Sequence, residues 1–578
     1  MSYYLKAMDG LLDESDRRLL KRIYAPTFIA TPPSDPSRNS VVMPNGEIRI
    51  YGMLDKREPD EVTERIYIAS RDAGLSWKTY PVSYDALGPA GYNPESGRWI
   101  GVRGIVDATK GLEILLSDVG PDDTAPRRIK LSDENIHVLK KPQYLPRYRR
   151  WILLGELREK HLKKHVHVFL SDDDGESWRH LKLPHAPIFE VKPPHKGPRW
   201  QECSCEPTVA DLGDRRLMML VRTSQDYHYI HFSNDGGDTW TDPAPSPFHG
   251  TITMPVLQNL SDGRVVLFWC NTQPMPELDH ESAMPPLDEK ARIGFWEDVF
   301  TNRDANHLAI TSDAGKTWQG MRELCLNPIR CNADFRSIGG AGSRDKSVHQ
   351  AELIELPENK LLVVFGQNTA VRKIAILDLA WLSETERRED LRLGLVNLST
   401  QMYLESNLGN YRGFSGHCAY NRTNGALLVP DPDMNHEEAL QICRVSDPRL
   451  VSELQGAVWN FPAAKKGEVK VKLMTVGAPL RLSLLDRWVN PSDETAPDSA
   501  FATLPLDMLK RGEWQTVTLK FDTETQSAEM SIDGGAAISL PTKEPAPLGL
   551  SYLHLQTTAE TEDLAGSYVK TLSMKAIE

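Results

Sequence analysis

The sequence predicts an all-β protein in which a six-bladed β-propeller is followed by a C-terminal lectin-like β-sandwich of the jelly-roll type. Two observations support this fold. One short turn motif recurs four times between strand-like segments, and a second region of alternating strands follows without that motif. The chain has 578 residues, more than one hydrophobic core accommodates, so at least two domains are expected.

The recurring motif has the form Ser/Thr-x-Asp-x-Gly-x-Ser/Thr-Trp, and its first copy follows the strand-like segment ERIYIA. The Asp carboxylate can accept backbone N–H hydrogen bonds and the Gly can adopt a positive φ, which predicts a hairpin turn with the Trp packed beside it. We therefore interpret the four Asp residues as structural. The copies are SRDAGLSW at 70–77, SDDDGESW at 171–178, SNDGGDTW at 233–240 and TSDAGKTW at 311–318.

The spacing of the motif indicates the number of blades. Its Asp residues lie at 72, 173, 235 and 313, so a repeat of about 60 residues fits if the first interval contains one unit without the motif. A further unit without the motif follows at 349–379. Six repeated four-stranded units closing into a ring form a β-propeller. The alternative is seven blades, if the early strand KRIYAPTFIAT belongs to an extra unit instead of closing the ring.

We assign residues 1–385 to the propeller, 386–412 to a linker and 413–578 to the sandwich. The polar segment SETERREDLRLG is predicted to be a short helical bridge. Beyond it, segments such as EWQTVTLKFD alternate apolar and polar residues, which is typical of half-buried strands. We expect the sandwich to pack against the propeller, with carbohydrate binding as the alternative. His417 and Arg422 lie at the junction, where we expect an interdomain contact.

Composition excludes several classes of function. The chain carries 67 Lys and Arg against 80 Asp and Glu, a net charge of −13 without a basic block, which argues against a nucleic-acid partner. No apolar segment reaches the length of a membrane span. The acidic N-terminal residues and the seven irregularly spaced Cys predict a cytoplasmic protein with mostly buried thiols, and the alternative is a secreted mature form.

No cofactor is expected, because the sequence contains neither a phosphate-binding loop nor a dinucleotide fingerprint. The segment HLKKHVHVF brings His161, His165 and His167 close together in sequence. These histidines lie on a strand that leads into a hairpin, where alternate side chains point to opposite faces. We therefore predict that they do not bind a metal.

With its four motif turns and six units, the chain resembles the sialidase (neuraminidase) superfamily, in which the turn is known as the Asp box. The likeness covers the propeller, about two thirds of the chain. Asp boxes also occur on other propellers, so they specify architecture more firmly than activity. The resemblance implies an exo-sialidase-like glycoside hydrolase that releases terminal sialic acid, or a related ulosonic acid, from an anionic glycan.

Members of that family bind the substrate carboxylate with three arginines from separate blades. A guanidinium is always charged and can hold a carboxylate through two parallel hydrogen bonds. By their positions relative to the predicted blades, Arg38, Arg222 and Arg303 resemble these three residues. Arg57 resembles a further arginine that contacts the substrate in the family.

The resemblance also implies two acidic residues. Asp60, on the loop after the first hairpin of blade one, is the predicted acid for the leaving group, with Glu61 as its near neighbour. Burial beside a bound sugar would raise the pKa of such a carboxyl group, so that it keeps its proton near neutral pH. Glu206, at the start of blade four, matches the family Glu that takes the proton of a nucleophilic Tyr.

The sequence departs from the family where that Tyr is expected, because the last blade begins SRDKSVHQAELIEL and offers His349 but no Tyr. Two mechanisms remain open. Tyr227 or Tyr229 from blade four replaces the missing residue and configuration is retained, or Glu206 or His349 activates water directly and configuration inverts.

Two other functions fit the same residues. A propeller lyase or exo-hydrolase could act on a glycan that contains uronic acid or rhamnose, with the arginines binding the uronate and His349 abstracting the proton next to its carboxylate. A non-catalytic glycan-binding propeller would explain the missing Tyr as lost activity.

Overall fold

The computed structural model describes residues 3–34, 36, 38–52, 65–102, 111–158, 163–193, 195, 199, 203–274, 302–331, 347–404, 421–433 and 436–577. Among the residues singled out from the sequence, Arg57, Asp60, Glu61, His161 and His417 lie outside these ranges.

Six four-stranded antiparallel sheets form the blades of a propeller. In chain order, the blades consist of β2 Ser40–Val42, β3 Ile48–Tyr51, β4 Ile66–Ser70 and β5 Lys78–Pro81 (blade one); β6 Ala90–Tyr92, β7 Trp99–Val102, β8 Leu112–Ser117 and β9 Arg127–Ser132 (blade two); β10 Gln143–Leu145, β11 Arg150–Arg158, β12 Lys164–Ser171 and β13 Arg179–Lys182 (blade three); β14 Cys205–Gly213, β15 Arg216–Arg222, β16 Tyr227–Ser233 and β17 Ala244–His249 (blade four); β18 Val256–Asn259, β19 Val265–Trp269, β20 Ala305–Thr311 and β21 Gln319–Leu326 (blade five); and β22 Ala351–Leu356, β23 Lys360–Phe365 and β24 Lys373–Asp378 with β1 Thr27–Ala30 (blade six).

Strand β1 comes from the N-terminal end of the chain but completes the last blade. Thr27 pairs with Ile376 and Phe28 with Ala375, so the ring closes through this strand. The six-blade prediction is therefore confirmed, and the early strand does not belong to a seventh unit. The first strands of the blades lie nearest the axis, since contacts between neighbouring blades join β6 with β10, β14 with β18 and β18 with β22.

The Asp boxes join the third and fourth strands of blades one, three, four and five. In blade four, Ser233 Oγ donates to Asp235 Oδ1 at 2.8 Å and the Thr239 N–H donates to the same oxygen at 2.9 Å. Gly237 has a φ of +101°, and its carbonyl accepts from Trp240 Nε1 at 2.9 Å. The serine or threonine bonds to the box carboxylate recur at Asp72, Asp173 and Asp313. These aspartates lie among the outer strands and act as turn supports.

The propeller has its hydrophobic cores between neighbouring blades. Between blades one and six, the core extends to two N-terminal helices, α1 Tyr3–Leu11 and α2 Glu14–Arg22, through the buried residues Met8 and Leu20. These helices were not predicted from the sequence. The segment of α2 is mostly polar, but its N-cap Asp13, with acidic residues in the first turn and basic residues in the last, is the signal that would have identified it.

The C-terminal region forms two larger sheets that enclose one core, as predicted for a β-sandwich. Trp459 and Val471, from different sheets, are both fully buried in that core. The strands after the propeller are β25 Glu386–Glu389, β26 Leu398–Ser399, β27 Met402–Leu404, β28 Asn421–Thr423, β29 Leu427–Pro430, β30 Glu438–Arg444, β31 Gly456–Ala464, β32 Lys466–Thr475, β33 Leu480–Leu485, β34 Ala502–Pro505, β35 Gln515–Asp522, β36 Ser527–Ile532, β37 Ile538–Leu540, β38 Leu550–Thr557 and β39 Asp563–Ala576.

The predicted helical bridge was wrong. Strand β25 pairs with the long last strand β39, with Glu386 opposite Lys575, so hydrogen bonding to a distant strand overrides the helical tendency of a polar segment. Strand β26 also joins the sandwich, by pairing with β31. The limits 385, 412 and 413 given above stay predictions. Short 3-10 helices occur at Pro146–Tyr148, Leu379–Ser383 and Ala496–Asp498.

The sandwich packs against blade five through a shared apolar cluster and through polar groups. The Tyr552 hydroxyl donates to Glu323 Oε1 at 2.8 Å, and Asn460 Oδ1 accepts the N–H of Glu323 at 3.1 Å. Arg422, expected at the junction, forms an interdomain ion pair with Asp304. Among the described residues, no helix has the length and apolar composition needed to cross a membrane.

Candidate active site

The starts of the innermost strands carry unusual backbone conformations in four of the six blades. Arg38, Glu206, Ile252 and Gln350 have φ values of +54°, +45°, +50° and +64°. Each lies at or shortly before the first strand of its blade, and none is glycine. Such conformations cost about 1 to 3 kcal/mol each and cluster at functional sites. This end of the axis, which we call the hub, is therefore the candidate active site.

Glu206 and Arg222 form a buried ion pair at the hub. Cys205 of β14 pairs with Arg222 at the end of β15, which brings the two side chains together. Arg222 Nη1 donates to Glu206 Oε2 at 2.9 Å, and both residues are less than 9% exposed. The Glu206 N–H donates to Glu156 Oε2 at 2.5 Å. Among the described residues, only Arg222 contacts the Glu206 carboxylate, so Oε1 is available to water or a ligand.

Arg303 reaches the same end of the axis from blade five. Its Nη2 donates to the carbonyl of Ile252, whose own N–H donates to the carbonyl of Thr223 at 2.9 Å. Thr223 follows Arg222 in the chain, so these two hydrogen bonds link Arg303 to the segment that carries Arg222. Arg303 is 1% exposed, and its carbonyl accepts the N–H of Val348 at 3.0 Å.

His349 follows Val348 directly and is equally buried. Its Nε2 accepts the backbone N–H of Met254. An imidazole that accepts at Nε2 is neutral and carries its proton on Nδ1. The second nitrogen, Nδ1, is therefore a buried N–H group rather than a base, which makes His349 better suited to positioning the Met254 backbone than to the base role considered from the sequence.

Arg38 is half-buried and precedes the first strand of blade one. Two residues later, the N–H of Ser40 donates to Glu352 Oε2 at 2.5 Å. Glu352 lies three residues after His349, so this contact joins the starts of blades one and six. Arg38, Arg222, Arg303, Glu206 and His349 therefore all lie at the starts of inner strands or the ends of adjacent strands, and described contacts connect the last four.

Two lysines at the start of blade three were not predicted as site residues. Lys141 Nζ lies 3.1 Å from Glu352 Oε1, and Lys140 Nζ donates to the Ala351 carbonyl at 3.3 Å. Burial lowers the pKa of Lys140 to about 8, although the charges of Glu352 and Glu206 oppose this shift. The segment KKPQYLPRY has the composition of an exposed turn. Its position before the first strand of a blade, which it shares with Arg38, is the signal that would have identified it.

The two tyrosines considered as replacements for the family nucleophile lie elsewhere. The Tyr229 ring is buried in the core between blades three and four, and burial raises the pKa of its hydroxyl. The Tyr227 ring packs against His249 with 4.7 Å between the ring centroids, and burial raises its pKa as well. Among the described contacts, neither hydroxyl bonds to Glu206. Both groups lack the activation that a nucleophilic Tyr needs.

The histidines on β12 make ring and hydrogen-bond contacts. His167 Nδ1 lies 2.8 Å from His180 Nε2, and the His180 ring stacks on Phe169. Within the described ranges, no group of three or more His, Cys, Asp and Glu side chains is arranged to hold a metal ion. Five of the six described cysteines are buried, as predicted for packing residues.

The fold and the hub define a propeller built from repeats of the Asp-box type. The family model described as "BNR repeat-like domain" matches residues 92–393, more than half of the chain. The chain therefore belongs to the BNR repeat-like domain family. A search of curated proteins found no match.

Solved structures of similar fold include sialidases. Trypanosoma rangeli sialidase in complex with 2,3-difluorosialic acid is 12% identical, with a TM-score of 0.36, and the alignment covers 96% of this chain and 91% of that one. The same enzyme with the inhibitor DANA is 13% identical, with a TM-score of 0.35, covering 94% and 91%. A Dyadobacter fermentans protein of unknown function is 15% identical, with a TM-score of 0.37, covering 61% and 97%. Similarity at this level does not identify a reaction.

Proposed function

We propose that the protein is an exo-acting, sialidase-like glycoside hydrolase that releases terminal sialic acid, or a related ulosonic acid, from a glycan. The observation that carries this proposal is the buried Arg222–Glu206 pair at the hub, linked by contacts to Arg303 and His349. Arg38, Arg222 and Arg303 bind the substrate carboxylate. They concentrate positive charge locally in a chain whose net charge is −13.

In the proposed mechanism, Asp60 donates its proton to the glycosidic oxygen as the bond to the anomeric carbon breaks. Glu206 Oε1 takes a proton from a water molecule, whose oxygen forms the new bond to that carbon with inversion of configuration. Arg222 holds Oε2, which fixes the direction of Oε1. His349 is a positioning residue, because its Nε2 holds the N–H of Met254 in the segment whose Ile252 carbonyl contacts Arg303. Because the arginines also stabilise the bound substrate, the rate enhancement comes from the acid, the base and the stabilisation of oxocarbenium character.

The uronate lyase is the weaker candidate. It requires His349 as the base, and the acceptor nitrogen of that ring is already engaged by the Met254 N–H. The non-catalytic glycan-binding propeller is an outcome of the test described next.

The test is incubation with a panel of sialosides and uronate glycans, with the anomer of the released sugar followed by NMR. We expect release of sialic acid in the inverted configuration and no turnover by Glu206→Gln. Arg222→Met should lower kcat/KM by roughly a hundredfold or more, with a higher KM because it removes a charge-assisted contact to the substrate carboxylate and a lower kcat because Glu206 loses the group that orients it.

Arg150→Met is the matched control. Arg150 is as buried as Arg222, but it pairs with Asp172 at 2.6 Å and Asp238 at 3.0 Å among the outer strands. We expect this variant to melt at a lower temperature with an unchanged KM. Binding without turnover by the wild type would support the glycan-binding module. The proposed site would be overturned if the wild type neither bound nor turned over any of these glycans, or if Arg222→Met and Arg150→Met raised KM equally.

A further inference from the structure

Lys140 and Lys141 are adjacent in sequence, but their ammonium groups have different surroundings. Both precede β10, the innermost strand of blade three, and both reach blade six, which lies opposite in a ring of six. Lys141 Nζ has three acceptors: the Glu352 carboxylate at 3.1 Å, Ser40 Oγ at 3.2 Å and the Ser40 carbonyl. This lysine is therefore a structural tie between blades three, one and six.

Lys140 Nζ has one acceptor among the described residues, the Ala351 carbonyl at 3.3 Å. Within the described part of the chain it forms no ion pair, although the charges of Glu352 and Glu206 act on it. An ammonium group has three N–H donors, so two of them have no partner in those ranges. Lys140 is half-buried, and a desolvated charge with unused donors is costly unless a ligand completes its contacts.

The charges around Lys140 come from three elements of the hub. Lys141 precedes the same strand, Glu352 lies on β22 and Glu206 on β14. Glu352 is engaged by Lys141 and Ser40, and Glu206 by Arg222. Among the described residues neither carboxylate pairs with Lys140, which leaves this lysine with capacity for a further anion.

We propose that Lys140 is a substrate-binding residue of the hub that holds a carboxylate of an acidic sugar through its two remaining N–H donors. The identity of the sugar rests on the function proposed above. The inference adds a cation from blade three to the arginines of blades one, four and five. Lys140 thus favours sugars that carry a carboxylate over their neutral counterparts.

A consequence of this assignment is proton uptake on binding. With a pKa of about 8, half of the Lys140 side chains are neutral at pH 8 in the unliganded protein. An anion beside Nζ favours the charged form and raises this pKa, so the complex gains up to about half a proton per site at pH 8. Affinity is therefore full below pH 8 and falls as the pH rises above it.

The experiment is calorimetric titration of the full chain with N-acetylneuraminate at pH 8, in two buffers of different ionisation enthalpy. We expect Lys140→Met to weaken binding by roughly ten- to a hundredfold, the size of a lost charge-assisted contact, and to abolish the proton uptake. Lys140→Arg should keep the affinity within a few-fold but take up no proton, because arginine does not titrate. The methyl ester of the sugar should bind all three proteins alike.

Stability measurements separate a binding role from a structural one. Lys140→Met removes a half-buried, desolvated charge with few partners, so its melting temperature should equal or exceed that of the wild type. Lys141→Met removes the tie to blades one and six, so it should melt earlier and leave the affinity for the sugar within a few-fold. Wild-type affinity and proton uptake in Lys140→Met would overturn the assignment of Lys140.

Failure of this inference is distinguishable from failure of the proposed function. If the wild type binds N-acetylneuraminate but Lys140→Met does so equally well, the inference is wrong and the proposed function stands. Oxalate, a small dicarboxylate, tests the anion site without a sugar. If no acidic sugar binds but oxalate raises the melting temperature of the wild type and of Lys140→Arg, and not that of Lys140→Met, then Lys140 is an anion site. In that case the proposed function is wrong. If neither ligand acts, both are wrong.

Discussion

The hub and the seam between propeller and sandwich each contain a buried carboxylate, Glu206 and Asp304 respectively, but only at the seam are both of its oxygens bonded within the described residues. At the seam, Asp304 and Arg422 are fully buried, and Arg422 Nη1 lies 2.5 Å from Asp304 Oδ1. Asn327 Nδ2 also donates to Oδ1 at 3.0 Å, and the Tyr403 hydroxyl donates to Oδ2 at 3.3 Å. Both carboxylate oxygens are therefore engaged.

At the hub, by contrast, Glu206 Oε1 and two N–H donors of Lys140 have no partner among the described residues. A buried carboxylate with both oxygens bonded, which we call a closed network, specifies how two parts of a chain fit together, whereas unused hydrogen-bonding capacity at charged groups suits ligand binding. The two regions are close in sequence, because Asp304 follows Arg303 directly. The seam therefore also supports the segment that carries one of the proposed substrate-binding arginines.

The largest effect should follow from opening the closed network. Asp304→Asn and Arg422→Met each leave one buried charge without its partner, so each should lower the free energy of unfolding by about 3 to 5 kcal/mol. The double variant buries no charge, so its free energy of unfolding should fall by less than the sum of the decreases in the two single variants. Urea unfolding of the three variants measures this coupling.

The control for that cycle is the surface pair Asp262–Arg264, whose atoms lie 2.7 Å apart with both side chains at least 29% exposed. Its removal should cost less than about 1 kcal/mol. Additive effects at Asp304 and Arg422 would mean that the seam is not the closed network described above.

A second effect at the seam depends on pH. Burial raises the pKa of Glu323 to about 7, although the hydrogen bond from the Tyr552 hydroxyl opposes the shift. The folded state therefore binds this proton more tightly than the unfolded state. The resulting stability is fully present below about pH 4.5 and is lost as the pH rises towards 7, by roughly 3 kcal/mol in total.

Glu323→Gln keeps an acceptor for Tyr552 but cannot ionise, so it should remove this decline. Melting temperatures between pH 4 and 8 provide the measurement. Glu529→Gln is the control, because the Glu529 side chain is exposed and its ion pair with Lys520, at 3.7 Å, is long and therefore weak. Parallel pH profiles for the wild type and Glu323→Gln would show that Glu323 is not the group responsible.

A smaller effect is expected in the outer turns. Burial alone would raise the pKa of Asp235, but hydrogen bonds from Thr239 and Ser233 outweigh it and lower the pKa to about 2. Asp235→Asn places an amide N–H against the Thr239 hydroxyl or loses one of these charge-assisted bonds, at a cost of about 1 to 3 kcal/mol. This contribution is present above about pH 4 and is lost as the pH falls towards 2, so the variant and the wild type should converge in acid.

Thermal unfolding at pH 7 and pH 2.5 tests this difference, with the exposed turn residue Asp214 as the control site. Affinity for N-acetylneuraminate should be unchanged in Asp235→Asn, because the turn lies among the outer strands. A selective loss of sugar binding would contradict the structural role of the Asp box.

The same contrast between local and distant contacts explains how much the sequence could predict. The Asp boxes are local, because each motif contains the donors and the acceptor of its own turn. The turns and the repeat of the blades can therefore be predicted from the sequence. Glu206 and Arg222 flank a single hairpin, and antiparallel pairing brings them together. The acceptor of Lys140, however, lies 211 residues further along the chain, and Arg422 lies 118 residues from Asp304. No local pattern indicates such contacts.

The incorrect helical bridge has the same origin, since the segment at β25 has a polar composition but pairs with a strand near the C-terminus. Backbone pairing between distant segments is invisible in composition. The arginines of the proposed clamp were placed by resemblance and blade position, and their role in binding stays a prediction.

The smallest expected effect concerns the N-terminal helices, which pack in the core between blades one and six. Asp13 caps α2, because its Oδ1 accepts the N–H of Asp16 at 2.9 Å. Asp13→Ala should cost about 0.5 to 2 kcal/mol, whereas Asp13→Ser should retain most of the cap. Hydrogen exchange of the α2 amides measures the local loss. Because Leu20 of α2 packs in the core between blades one and six, the amides of β1 and β24 should exchange faster as well. Faster exchange in α2 alone would show that ring closure does not depend on this helix.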